Sequence, residues 1–102
     1  MKIIKRNGAE QLFDTKKIVN AITKANDAVA ENCRMTEMQI KRISESVVNA
    51  CEKLGRTPGV EEVQDIVEHQ IMSHGAYEVA KAYITYRYTR MLVRQSNTTD
   101  DK

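Results

Sequence analysis

The sequence lacks the features that mark several common classes of protein. Its 102 residues contain no apolar run long enough to cross a bilayer, and no signal-peptide core lies near the first methionine. The length suits one hydrophobic core and not two domains. We therefore expect a single cytoplasmic domain with no membrane partner.

Cysteine is scarce and the charges nearly balance. Cys33 and Cys51 are far apart, and His69 and His74 are poorly placed to complete a zinc site with them. We expect reduced thiols and no metal ion held by the protein itself. The formal net charge of +2 is too small to indicate nucleic-acid binding, so an anion site would have to arise from a local cluster of cations.

Catalytic patterns are absent as well. No serine or cysteine has a plausible histidine partner, and the sequence contains no glycine-rich P-loop. We therefore expect no enzymatic activity from this chain by itself.

The first residues predict a β-hairpin. Residues 2–6 and 11–13 are typical of short strands, and Asn7-Gly8 indicates a tight turn with a loop of two residues (7–8) or four (7–10). In either register the strands alternate in the same way. One face is expected to carry Ile3, Lys5 and Leu12, and the other Ile4, Arg6, Gln11 and Phe13, so that Lys5 and Arg6 point in opposite directions.

Four helices are predicted from apolar spacing and capping residues. Asp14 should cap the first, and Thr36 with Gln39 should form a capping box for the second, which Gly55 ends. The third should carry Val60, Val63, Ile66, Val67 and Ile71 and end near Gly75. The fourth should run from about Ala76 to Arg94, with Val79, Ala82 or Tyr83, Tyr86 and Met91 inward.

These elements predict an α+β fold in which a four-helix bundle is capped by a small β-sheet. The sheet is expected to consist of the N-terminal hairpin, with a candidate third short strand in the connector at residues 56–59. The domain is expected to cover residues 1–95. Residues 96–102 are polar and without periodicity, which indicates a linker or a disordered end.

Cations gather at three places along the chain. Lys5 and Arg6 flank the predicted turn, and Lys16 and Lys17 occupy the first helical turn, where the helix dipole disfavours positive charge. A bound polyanion would remove that conflict. Arginines interleaved with tyrosines line the end of helix four. Each cluster by itself is more often a solvated surface than a ligand site, but together they favour an anion or nucleotide site.

Two stretches resemble a known family. IIKRNGAEQLFDTKKIVNAITKA resembles the start of the ATP-cone, the N-terminal nucleotide-sensing domain of ribonucleotide reductases, and VEEVQDIVEHQIMSHGAYEVAKAYITYRYTR resembles its second half. The resemblance covers residues 2–94 and is strongest to the cone of anaerobic ribonucleoside-triphosphate reductase. The family also occurs in a transcriptional repressor of reductase genes, where a zinc ribbon precedes the cone; no such ribbon is present in this sequence.

The resemblance implies roles for residues of the hairpin and the first helix. Lys5 and Arg6 match positions that meet the triphosphate, and Asn7 and Gly8 fall in the turn beside it. The positions that line the adenine side are Gln11, Phe13, Asp14, Lys17 and Ile18. Gln11 replaces an acidic residue common in the family, but an amide can still donate to and accept from a base edge.

The later helices are implicated in the same way. Val60 and Gln64 match positions that approach the ribose and phosphates, where other members carry threonine and histidine. Lys81, Arg87 and Arg90 are expected to supply further cations from helix four.

The function implied is allosteric. The chain would bind ATP or dATP together with Mg²⁺ and switch the activity of a ribonucleotide reductase. Its partner would be the catalytic domain of that reductase. The switch would act by changing a nucleotide-dependent homo-oligomer or the arrangement of the domains. The alternatives are a nucleotide-sensing domain of a transcriptional regulator and a small basic module that binds nucleic acid. We favour the reductase and do not expect a nucleic-acid partner.

Overall fold

A computed structural model describes residues 1–100 of the chain, with the side chains of residues 1–96. It confirms an α+β fold with four helices and a two-stranded antiparallel sheet at the N-terminus. The elements are β1 (Lys2–Ile4), β2 (Glu10–Leu12), α1 (Thr15–Asp27), a short 3₁₀ helix (Glu31–Cys33), α2 (Glu37–Glu52), α3 (Val60–Ser73) and α4 (Tyr77–Asp100).

The hairpin turn lies where the sequence predicts it, but its length differs. The backbone N–H of Gly8 donates to the carbonyl of Lys5 at 2.9 Å, and the N–H of Lys5 donates to the carbonyl of Ala9 at 2.7 Å. Gly8 has φ +89°, a left-handed conformation that glycine adopts without a steric penalty. This is a three-residue loop, Arg6 to Gly8, that ends in a bulge.

A loop of three residues, where two or four were predicted, shifts the pairing of the strands by one residue. The predicted assignment of side chains to the two faces of the hairpin is therefore wrong. Ile3 pairs with Gln11 and Ile4 with Glu10, which places Ile3 and Gln11 on one face. A shift of one residue exchanges the two faces of a strand, and Leu12 consequently points outward with 76% of its surface exposed. Lys5 and Arg6 also lie beyond the end of β1: Lys5 is at the base of the turn and Arg6 is its first residue.

The helix starts follow the predicted capping residues. The Asp14 carboxylate accepts a hydrogen bond from the Lys16 N–H at 3.0 Å at the start of α1. At the start of α2, the Thr36 hydroxyl accepts from the Gln39 N–H, and the Gln39 side chain accepts from the Thr36 N–H. These caps satisfy N–H groups that the first helical turn leaves without partners.

All four helices contribute to one core. Side chains that are fully excluded from solvent come from each of them, including Ile22, Ile43, Val47, Ile71 and Val79. Burial of a side chain of this size stabilises the folded state by about 1.5–3 kcal/mol, so this core is what holds the helices together. Tyr83 is the inward-facing tyrosine of α4, whereas Tyr86, predicted inward, is half exposed.

The connection between α1 and α2 is fixed by polar side chains. Buried Asn26 donates through Nδ2 to the Met35 carbonyl at 3.0 Å, and its Oδ1 accepts from the Met35 N–H at 2.7 Å. Arg34 donates to the carbonyls of Asp27 and Val29 near the end of α1. The sequence did not predict this clamp or the 3₁₀ helix within it.

A single bridge joins the hairpin to the segment before α3. The Ile4 N–H donates to the Pro58 carbonyl at 2.9 Å, and Ile4 pairs in parallel with Gly59. The third strand proposed for this connector is thus reduced to one residue. The bridge holds the start of α3 beside the hairpin, which positions the cavity described below.

Helix α4 is longer than predicted. It continues past Arg94 to Asp100, so residues 96–100, predicted as a linker or disordered end, are helical; residues 101–102 of that segment lie outside the described residues. None of the helices described is both long and apolar enough to cross a membrane.

Candidate functional site

A cavity of about 500 Å³ opens between the hairpin, the first half of α1 and the start of α3. We call it the main cavity. It brings together ten of the residues predicted for the site: Lys5, Arg6, Asn7, Gln11, Phe13, Asp14, Lys17, Ile18, Val60 and Gln64. Gly8 shapes the adjoining turn without lining the cavity.

Five further lining residues were not predicted as site residues. They are Ile3, Ala21, Val63, Val67 and Tyr83. Val63 and Val67 were predicted only as apolar residues of the third helix, and they lie in the core. Ile3 was missed because both predicted registers placed it on the face of Leu12, whereas it pairs with Gln11.

The main cavity has an apolar interior and a cationic rim. Ile18, Val63, Val67 and Tyr83 are buried at its wall, with Phe13 partly buried beside them. Lys5 and Lys17 are exposed at the rim. Within residues 1–96, neither lysine pairs with a carboxylate. A ligand with an apolar, flat part and an anionic part would match this division.

Gln64 carries an unsatisfied polar atom at the cavity. Its side-chain oxygen Oε1 is buried and has no hydrogen-bond donor among the residues that the structure describes. A buried acceptor without a donor costs free energy, on the order of 1–3 kcal/mol. A ligand hydroxyl or N–H group that reached this atom would recover that loss.

A second, smaller cavity of about 220 Å³ adjoins the first. It shares Arg6, Ala21, Gln64 and Tyr83 with the main cavity. Its other lining residues include Arg87, Arg90 and Arg94, and we call it the arginine cavity. Arg87 and Arg90, predicted to serve the ligand site, therefore lie next to the main cavity and do not line it.

Arg87 is held by three acidic residues of α3. Its guanidinium lies 2.9 Å from Glu61 Oε1, 2.7 Å from Asp65 Oδ1 and 2.5 Å from Glu68 Oε2. Burial lowers the pKa of Arg87, but the hydrogen bonds that its guanidinium donates to these carboxylates outweigh burial and raise that pKa above its ordinary value. Arg87 thus fastens α4 to α3.

Lys81 lies elsewhere. It lines a separate cavity with the end of α1 and the following loop, including Val29 and Cys33. It does not line the main cavity or the arginine cavity. The structure therefore does not bring this predicted cation together with Lys5.

Tyr83 belongs to the core and lines both the main cavity and the arginine cavity. Only 7% of its surface is exposed, and burial is the main reason why the pKa of its hydroxyl is raised to about 12. The side chain is therefore a neutral phenol at physiological pH. Its side chain forms part of the wall of both cavities, and its hydroxyl oxygen is the polar atom that it brings there.

Comparison with known proteins connects this geometry to a family. The ATP cone domain family matches residues 1–92. The chain is 36% identical over 94% of its length to anaerobic ribonucleoside-triphosphate reductase of Haemophilus influenzae, and 32% identical over 98% to ribonucleoside-diphosphate reductase subunit alpha of Chlamydia trachomatis. It is 33% identical over 92% of its length to the vitamin B12-dependent ribonucleoside-diphosphate reductase of Thermoplasma acidophilum.

The match covers a small part of each relative. The chain spans 13%, 10% and 12% of the lengths of these three proteins, respectively. The similarity therefore extends over one domain of each reductase. With the family matched over nearly the whole chain, this protein belongs to the ATP cone domain family, the nucleotide-binding regulatory domains of ribonucleotide reductases.

Proposed function

We propose that the main cavity binds ATP or dATP as a complex with Mg²⁺, and that the bound nucleotide sets the activity of a ribonucleotide reductase. The observation that carries this proposal is the union of an apolar pocket with lysines that have no acidic partner among the described residues. An adenine ring suits the apolar part, and a polyphosphate suits the rim.

The residues divide the work between the two parts of the ligand. Phe13 and Ile18 offer an apolar surface to the base, while the amide of Gln11 can donate to or accept from its edge. Lys5 and Arg6 would meet the phosphates, and Lys17 would lie on the adenine side of the same rim. The Mg²⁺ ion would arrive on the nucleotide and reduce the repulsion among the phosphate oxygens.

Discrimination between ATP and dATP has to be amplified outside the pocket. The two ligands differ by one hydroxyl, and one neutral hydrogen bond contributes about 0.5–1.5 kcal/mol. That difference can act only by tipping an equilibrium between arrangements of nearly equal free energy. We propose that these are arrangements of cones in a homo-oligomer, or of the cone and a catalytic domain.

Catalysis would belong to that other domain. The chain corresponds to 10–13% of the reductases that it resembles, and the cone within it is proposed to cover residues 1–95. We expect the isolated chain to have no reductase activity and to hold no metal ion apart from the Mg²⁺ on its nucleotide. Metal analysis of chelator-washed protein would test the second point, where stoichiometric zinc or iron would contradict it.

Isothermal titration calorimetry tests the proposed ligand. ATP and dATP with Mg²⁺ should bind in the low-micromolar range or somewhat more weakly and raise the melting temperature by mass action. GTP should bind less well, and a short oligonucleotide should show no comparable affinity. Salt-sensitive binding of the oligonucleotide, without binding of ATP at millimolar concentration, would instead support a nucleic-acid module.

Sedimentation velocity tests the proposed switch. The apo, ATP and dATP samples should differ in self-association, with the larger or tighter assembly in dATP. Identical profiles would remove this role from the isolated cone and assign the switch to its contact with the catalytic domain.

A further inference from the structure

Arg6 differs from the other cations of the main cavity because an acid of the protein already holds it. Its Nη2 lies 2.9 Å from Oε2 of Glu61, in the first turn of α3. Both side chains remain accessible, at 39% exposed for Arg6 and 57% for Glu61. Lys5, one residue earlier, has no such pairing within residues 1–96.

Glu61 uses its two oxygens for two different arginines. Oε2 meets Arg6 of the hairpin, and Oε1 meets Arg87 of α4. The hydrogen bond with Arg87 is the largest contribution to the lowered pKa of Glu61, and Arg6 lowers that pKa further. The carboxylate therefore links the hairpin, α3 and α4 through two arginines. Of these, Arg6 lines both the main cavity and the arginine cavity, and Arg87 lines the arginine cavity.

We propose that Glu61 is a resident counter-anion that competes with the phosphates of the ligand for Arg6. The inference rests on the proposed function, because it concerns the same cavity and its nucleotide. A phosphate that reaches Arg6 must displace a carboxylate, so it gains only the difference between two ion pairs. This makes Glu61 a determinant of specificity that favours ligands dense in negative charge over weakly charged ones.

Displacement would also change what holds the hairpin. Glu61 can release Arg6 and keep Arg87, because separate oxygens make the two contacts. The hairpin would then be attached to the body of the domain through the ligand, in place of the carboxylate on α3. A nucleotide would thus replace one internal ion pair without disturbing the connection between α3 and α4.

The test compares two neighbouring charge removals. Glu61→Gln should tighten ATP binding by about two- to fivefold, the range expected when an accessible ion pair no longer competes. Glu62→Gln removes the same charge one residue away. Glu62 pairs with Arg56, which does not line the main cavity, whereas Glu61 pairs with Arg6, which does. The Glu62→Gln control should therefore leave the affinity unchanged within about 1.5-fold, the scale of screened attraction.

A double-mutant cycle assigns the effect to Arg6. In an Arg6→Ala background, Glu61→Gln should no longer tighten ATP binding, because the contested cation is gone. An undiminished gain in that background would contradict competition for Arg6. Glu61→Ala should reproduce the direction of the Glu61→Gln change, and circular dichroism with thermal melts should confirm that every variant is folded.

The outcomes distinguish a failure of this inference from a failure of the proposed nucleotide binding. If wild-type protein binds ATP and Glu61→Gln binds it equally or more weakly, the competition proposal is overturned and the nucleotide site stands. If wild-type protein and all variants fail to bind ATP, the proposed function is overturned together with the inference.

Discussion

The cations of the hairpin and the arginine at the centre of α4 lie close to the same cavities but have opposite surroundings. Lys5 has no acidic neighbour at ion-pair distance within residues 1–96, whereas Arg87 contacts three carboxylates and is only 19% exposed. Arg6 is intermediate, with one shared carboxylate. A cation is available to a ligand only to the extent that the protein has left it unneutralised, so we propose that the hairpin is the recognition element and that Arg87 is structural.

The largest effect should follow removal of Arg87. Arg87→Ala leaves Glu61, Asp65 and Glu68 close together without their shared cation, and we expect the free energy of unfolding to fall by about 2–3 kcal/mol. Urea denaturation measures this. Arg90→Ala, an exposed arginine one turn later on α4, is the control and should cost little. A loss below about 0.5 kcal/mol for Arg87→Ala would show that the two arginines are equivalent after all.

Lys5 should show the complementary behaviour, with a large loss of affinity and nearly intact stability. A charge-assisted hydrogen bond to phosphate contributes roughly 1.5–3 kcal/mol, so Lys5→Ala should weaken ATP binding by about ten- to a hundredfold. Lys16 is exposed and does not line the main cavity, so Lys16→Ala should cost a few tenths of a kcal/mol. Calorimetry at fixed salt compares them, and equal losses would mean that the hairpin does not position the phosphates.

Tyr83 extends the contrast to high pH. Its pKa is raised from 10.0 to about 12, so its neutral form is favoured in the folded state. The resulting stability is present below pH 10 and is lost as the pH rises towards 12, by an amount on the order of 1–2 kcal/mol. Tyr83→Phe should flatten the fall in melting temperature over this range. An unchanged alkaline profile in that variant would place the cause elsewhere.

The smallest effect is expected in acid. Glu61 has a pKa lowered from 4.5, chiefly by its hydrogen bond with Arg87, so its contribution to stability is present above pH 4.5 and is lost as the pH falls through the lowered value. Because the side chain is 57% exposed, the contribution should be a few tenths of a kcal/mol. Denaturation curves between pH 5 and about pH 2 should show less acid sensitivity in Glu61→Gln. Equal sensitivity to wild type would exclude a measurable share for Glu61.

Features set by neighbouring residues were predictable from the sequence. Asp14 caps α1, and Thr36 with Gln39 caps α2, because each of these hydrogen bonds spans three residues or fewer. The candidate site was predicted as far as the family resemblance reached, which includes most of the lining of the main cavity.

Features that join distant residues were not predictable in the same way. The partners of Arg87 lie 19 to 26 residues before it, and the hydrogen bonds between Asn26 and Met35 span nine residues. No local sequence pattern predicts contacts over these separations. The predicted end of α4 at Arg94 was wrong. A polar segment lacks the apolar spacing from which a helix is predicted, although it can still be helical.

The three-residue turn between β1 and β2 has an evolutionary consequence. A substitution within it alters one side chain, whereas an insertion or deletion of one residue would exchange the two faces of β2 and bring Leu12 to the cavity in place of Gln11. Selection on nucleotide recognition should therefore act on the number of residues in this turn as well as on the identities of Lys5, Arg6 and Gly8. Relatives that retain the cavity should keep the length between Ile4 and Glu10 constant even where Asn7 or Ala9 is replaced, and an alignment in which that length drifts freely would contradict this.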